Sequence, residues 1–264
     1  NMSVKSFQET LKDTFPFAPT ASQENGFQQI ADYLDDKDDD TVLLIKGYAG
    51  TGKTTLIGHL VKKLNVVNKK SILMAPTGRA AKVLSSYSGK HALTIHKKIY
   101  FPKAVSGGSG IQFSLKENKH TNTIFIVDES SMIGDDRQQS KLFENGSLLH
   151  DLIHFVDNGE NCKLIFVGDT AQLPPVHLNV SPALSEEELE IQFNKKVYSV
   201  TLEDVVRQQA ASGVLYNATS IRELLVKEDY LGFNFKLEGF NDVHRMIEGN
   251  ELLEALENTL QEDG

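Results

Sequence analysis

The chain has 264 residues, 40% of them hydrophobic and 24% charged, with a net charge of −9 and one cysteine. That is one large globular domain, or one domain and part of a second, with apolar mass for a sizeable core. Cys162 alone excludes an internal disulfide or a cysteine-cluster zinc site and suits a reducing, cytoplasmic setting; no apolar run reaches the ~18 residues of a membrane span, and "NMSVKSFQET" lacks a signal-peptide core.

In chain order, residues 1–18 read as an N-terminal leader, with Asn1 before Met2 looking like the scar of an expression tag. The acidic "DDKDDD" (Asp35–Asp40) reads as an exposed loop. Short apolar runs then predict strands at Val42–Lys46, Ser71–Ala75, Ile124–Val127, Lys163–Val167 and Val197–Leu202. Helical patterns lie between them, from Lys53, from Arg79 and from Leu148. Strands alternating with helices predict βαβ units and an α/β fold: a mostly parallel, doubly wound sheet with helices on both faces. Ligands of such sheets sit at the carboxyl ends of the strands. The Gly/Ser/Lys-rich stretch Phe101–Asn122 breaks the alternation and predicts an inserted loop or small hairpin.

"GYAGTGKTT" follows the first strand and matches G-x-x-x-x-G-K-[ST] from Gly47 to Thr54. Glycines there let backbone N–H groups approach phosphate oxygens, and the next helix aims its positive end at the same anion. Gly47, Ala49, Gly50, Thr51, Gly52 and Thr55 are the candidate cradle. Lys53 can reach the β- and γ-phosphates and the Thr54 hydroxyl can ligate Mg²⁺, which makes ATP and Mg²⁺ the expected cofactors. Past the strand in "TIFIVDES", Asp128 suits a Mg²⁺ contact, and Glu129 can orient or deprotonate the attacking water. In "LIFVGDTAQLPPV", Gly168, Asp169 and Gln172 leave another strand, and Gln172 can sense the γ-phosphate by hydrogen bonding.

Charge is unevenly spread. Residues 41–120 hold fourteen Lys or Arg against the single acid Glu117, a balance of +13 that leaves −22 for the rest. A polyanion would be drawn to that middle stretch. Arg79, Lys82, Lys90, Lys97, Lys98 and Lys103 offer cations for backbone phosphates. Tyr87, Tyr100 and Phe101 are aromatics that either stack a base or belong to the core.

"GYAGTGKTT", "APTGRAAKVL", "TIHK", "IVDESSMI", "VGDTAQLPPV" and "LEDVVRQ" occur in the order seen in superfamily 1 DNA helicases. Over roughly Pro19 to Arg222 the chain resembles their RecD-like and Dda-like branch, which moves 5′ to 3′ on single-stranded DNA. The resemblance implies a RecA-like P-loop domain. It implies that Gln23 reads the adenine, and that Thr77, Gly78, Arg79, Thr94 and His96 contact single-stranded DNA. It also implies that Arg207 reaches the γ-phosphate from a second motor domain. The stretch 101–122 occupies the place of a β-rich insertion that helps part the duplex.

Family members carry two RecA-like domains with ATP between them. Residues 19–200 read as the first, with an insertion at about 101–122, and residues 201–264 as the start of an incomplete second. The missing half would come from the rest of a parent chain or from a partner subunit. The expectation is slow ATP hydrolysis without unwinding. The alternatives are a non-motor P-loop ATPase or DNA-binding regulatory module, and a small-molecule kinase.

Overall fold

The computed structural model describes residues 4–104, 111–134, 142–171 and 181–204, together with 216–217, 220–221, 235–239 and 243. Eight strands are described: β1 (Thr41–Gly47), β2 (Lys70–Ala75), β3 (Ala92–Thr94), β4 (Tyr100–Ala104), β5 (Ile111–Leu115), β6 (Thr123–Val127), β7 (Lys163–Gly168) and β8 (Lys196–Leu202). The α-helices are α1 (Val4–Asp13), α2 (Ala21–Asp35), α3 (Lys53–Lys63), α4 (Gly78–Ser88), α5 (Ile95–Ile99), α6 (Leu148–Asp157) and α7 (Glu186–Phe193).

The alternation within β1 sets the layers. Leu43 and Ile45 enter one apolar cluster with Phe7, Phe27, Leu56 and Leu84, contributed by α1 to α4. Val42 and Leu44 enter a second with Ile95, Leu152, Phe155 and Leu189, contributed by α5 to α7. A strand buried on both faces needs apolar residues at every position, so its sequence is a run and not an alternation. The six-stranded sheet has the order β3-β2-β6-β7-β1-β8, and every neighbouring pair is parallel. This is the predicted α/β P-loop architecture, with one extra strand. The three residues of β3 are too few to show a pattern.

Other elements were also unread. α1 lies within the stretch read as a leader, yet its Phe7 and Leu11 are buried. α2 begins with a capping box: Thr20 Oγ1 accepts from the Gln23 N–H, and Gln23 Oε1 accepts from the Thr20 N–H at 3.0 Å. The acidic run after Ser185 is α7, where three glutamates in the first turn complement the helix dipole.

The insertion is a hairpin. β4 and β5 pair antiparallel, from Tyr100 opposite Leu115 to Ala104 opposite Ile111. Asp151 anchors its base: this fully buried carboxylate accepts from the Tyr100 hydroxyl (2.6 Å), the Glu144 and Asn145 backbone N–H groups, and Asn145 Nδ2.

The chain divides after Asp204 into two compact units. In the second, the Asn217 side chain donates to the Lys236 carbonyl and accepts from its N–H, both at 2.8 Å. Among the described residues no helix is long and apolar enough to cross a membrane.

Candidate functional site

Because the sheet is parallel, the carboxyl ends of its strands share one edge. Gly47 ends β1, Asp128 follows β6, Asp169 follows β7, Thr77 follows β2, and Thr94 ends β3. Gln23 reaches the same edge from α2, because the neighbouring Ser22 N–H donates to Asp204 Oδ2 (2.9 Å), two residues beyond β8.

The start of α3 differs from the starts of its neighbours. α2, α4, α5, α6 and α7 are each capped by a hydroxyl, from Thr20, Thr77, Thr94, Ser147 and Ser185. α3 begins on Gly52, held at φ 84°, with no side-chain cap. A side chain with a Cβ strains at that φ, and an uncapped first turn presents its amides to an anion. Thr51 stiffens the loop by donating from Oγ1 to the Tyr48 carbonyl (2.7 Å). Lys53 Nζ folds back over the same loop, donating to the carbonyls of Gly47 and of Tyr48, the latter at 3.0 Å.

Across the edge, the Asp128 N–H extends the β2–β6 ladder by donating to the Met74 carbonyl at 3.0 Å. Both oxygens of its carboxylate are oriented: Oδ1 accepts from the Glu129 N–H (2.8 Å) and Oδ2 from the Tyr87 hydroxyl (2.6 Å). Burial, and then the Asp128 and Glu129 carboxylates, hold the Tyr87 phenol far above its ordinary range, so it remains the donor. Glu129 adopts a left-handed backbone, φ 53° and ψ 37°, a conformation costly for a residue with a Cβ. That turn throws the chain straight into the short 3₁₀ segment Ser130–Met132, pinned by Ser130 Oγ donating to the Val127 carbonyl. On β7, Asp169 is nearly buried and accepts from the Ala171 N–H (2.8 Å).

A hydroxyl at Thr54 and a carboxylate at Asp128 are hard oxygen donors. Among the described residues no group of three or more His, Cys, Asp or Glu forms a protein-only metal cage. Donors of that chemistry suit an ion that keeps water and phosphate oxygens as its remaining ligands, which is the habit of Mg²⁺.

The β3–β2 half of the edge carries the other candidates. Thr77, Gly78 and Arg79 form the start of α4; Gly78 and Arg79 are exposed, and Arg79 has no ion pair among the described residues. The His96 ring sits among Tyr100, Phe113 and Phe143, at centroid distances of 5.5, 5.2 and 6.4 Å. Burial there holds its imidazole below the ordinary range. Two lysines of the basic stretch serve structure instead: Lys90 Nζ donates to the carbonyl and hydroxyl of Ser71 near the amino end of β2, and Lys98 Nζ donates to His120 Nε2 at 2.7 Å. Of the three aromatics, Tyr100 is core and Tyr87 is bound to Asp128, while Phe101 is 58% exposed beneath the Lys116 ammonium. Gln172 and Arg207 lie outside the described residues. Tyr87 is the site residue that the sequence did not single out for its contact with Asp128.

A P-loop α/β ATPase architecture is therefore the class that fold and edge define. A family model described as an AAA domain matches residues 33–178, and the chain belongs to that family. It is 27% identical over 200 residues to an ATP-dependent RecD2 DNA helicase of Deinococcus radiodurans, covering 76% of this chain and 24% of that protein. It is 30% identical over 206 residues to the ATP-dependent DNA helicase dda of Enterobacteria phage T4, covering 77% of this chain and 42% of that protein. A solved Pif1 helicase from Bacteroides, in complex with ADP-AlF3 and ssDNA, overlaps 93% of this chain and 57% of its own at 19% identity and TM-score 0.44. The family match and the two curated relatives bear out the resemblance to superfamily 1 helicases read from the motifs. The chain spans less than half the length of these two curated relatives.

Proposed function

We propose that this chain is the ATP-binding and hydrolysing motor half of a DNA helicase that translocates on single-stranded DNA. The observation that carries the reading is the uncapped, glycine-led start of α3, which shares one sheet edge with the Asp128–Glu129 step. The amides of residues 49–55 and the Lys53 ammonium bind the phosphates, with Lys53 exchanging the Gly47 and Tyr48 carbonyls for phosphate oxygens. Thr54 and Asp128 hold Mg²⁺, which when bound neutralises charge on the phosphate oxygens. Glu129 orients the attacking water and takes its proton. Gln172 senses the γ-phosphate, and Arg207 reaches it from the second domain. Gln23 turns its Nε2, which has no acceptor among the described residues, to an adenine ring nitrogen.

Single-stranded DNA lies along the β3–β2 half, against Thr77, Gly78, Arg79, Thr94 and His96. Residues 201–264 begin the second motor domain, and the remainder of a parent chain or a partner subunit completes it in the cytoplasm. Direction of travel, 5′ to 3′, rests on the resemblance to the RecD-like and Dda-like branch. ATP turnover, with and without single-stranded DNA, tests the reading on this chain and on Lys53→Ala. We expect slow, Lys53-dependent hydrolysis and no strand separation by the chain alone. ATP binding indifferent to Lys53→Ala, or unwinding without a second domain, would overturn it.

A further inference from the structure

We infer that Tyr87 is a positioning residue for the Asp128 carboxylate, tying the last turn of α4 to the metal site. The inference rests on the nucleotide-site reading above and names a residue that reading does not use. Three observations support it. First, the Tyr87 hydroxyl donates to Asp128 Oδ2 at 2.6 Å, while the Glu129 N–H takes Oδ1, so the carboxylate is fixed from both sides. A carboxylate held this way turns a defined lone pair towards a cation and cannot rotate away from it. Second, α3 makes room for the contact. A Cβ on Gly58 would stand 3.0 Å from the Tyr87 carbonyl oxygen and 3.8 Å from its ring, so the bare glycine lets α4 lie close against α3. Third, Tyr87 lines a cleft of about 400 Å³ together with Thr54, Thr55, Lys62 and Lys63. Tyr87 therefore faces the same cleft as the first turn of α3, where Thr54 offers the other proposed metal ligand. Among the described residues no other side chain bonds to the Asp128 carboxylate.

Gly78 and Arg79 open the same α4, so the helix that would meet DNA at its start holds the metal carboxylate at its end.

Manganese affinity, read by electron paramagnetic resonance with a non-hydrolysable ATP analogue, tests the inference without turnover. The variants are Tyr87→Phe, which removes only the donor oxygen, and Asp128→Asn. We expect Tyr87→Phe to weaken Mn²⁺ binding about tenfold, as loss of an outer-sphere partner does, with analogue affinity in the absence of metal unchanged. Manganese affinity within twofold of the parent overturns the positioning role. Asp128→Asn that leaves Mn²⁺ affinity intact overturns the metal assignment itself, and this inference with it. Should Tyr87→Phe fail to fold, the parent chain decides: bound Mn²⁺ must broaden the Tyr87 ring resonances, and their persistence unbroadened counts against the inference.

Discussion

Gly47 and Leu202 stand opposite each other in the β1–β8 register, and a Cβ on Gly47 would lie 3.0 Å from both the carbonyl oxygen and the Cβ of Leu202. It would also lie 2.7 Å from Thr51 Oγ1, the group that stiffens the phosphate loop. Neither neighbour is the far end of a flexible chain. Gly47→Ala must therefore separate β8 from β1 or displace Thr51, an overpacking cost of about 1–3 kcal/mol. We expect a lower unfolding midpoint and at least a tenfold loss of affinity for a fluorescent ATP analogue. A variant that keeps both would show that the loop is not held by this contact.

Lys53 and Glu129 should fail in different ways. Lys53→Ala removes the ammonium now resting on the Gly47 and Tyr48 carbonyls, and with it nucleotide affinity. Glu129→Gln keeps the left-handed backbone and side-chain size but removes the base, so binding should persist while the turnover number falls ~10²-fold or more. Calorimetric binding beside single-turnover hydrolysis separates the two. Equal loss of binding in both variants would assign Glu129 to ligand contact instead of proton transfer.

The nucleotide half of the carboxyl edge was legible because its phosphate-loop, Asp-Glu and Gly-Asp motifs begin at the ends of buried apolar runs, β1, β6 and β7. The chemistry there is local in sequence: a nine-residue motif from the end of β1 into α3, or an Asp-Glu step. Tyr87 was not legible in its role because its partner lies 41 residues away, and the contact depends on where α3 and α4 cross. Gln23 closes the capping box with Thr20, and the Thr-x-x-Gln spacing carried that signal. Lys90 shows the limit of counting charge: its place in the basic stretch said nothing of the Ser71 oxygens that hold it.

Three histidines set an acid limit on stability. His59, His96 and His120 are each held below the ordinary imidazole range chiefly by burial; at His59 the Leu11 carbonyl opposes this, and at His120 Lys98 and Lys70 reinforce it. The unfolded chain, with imidazoles near ~6.5, takes up protons first as pH falls. Their contribution is therefore complete above about pH 6.5 and is lost below it. Asp36 adds a second window. Hydrogen bonds from Lys196, the Asp38 N–H and Tyr198 hold its carboxyl well below the usual range, so its contribution is present above about pH 3.9 and lost as pH falls further. Urea midpoints should be flat from pH 8 to 7 and decline towards pH 5. His59→Gln should flatten part of that decline; a midpoint that rises on acidification would contradict the assignment.

Arg79 and His96 should contribute to DNA binding by separable physics. Arg79 is exposed at the start of α4, with no ion pair among the described residues, so on a phosphate it would displace a counterion. Arg79→Ala should weaken binding to every sequence alike and reduce the salt slope by about one. The His96 imidazole, held below its ordinary range among Tyr100, Phe113 and Phe143, stays neutral at pH 7.5 and releases no counterion. His96→Ala should therefore weaken binding while leaving the salt slope unchanged. Fluorescence anisotropy with a labelled oligonucleotide across a salt series reads both quantities. A drop in slope for His96→Ala would mean that DNA draws a proton onto the ring, and the His96 cluster would then be a charged contact.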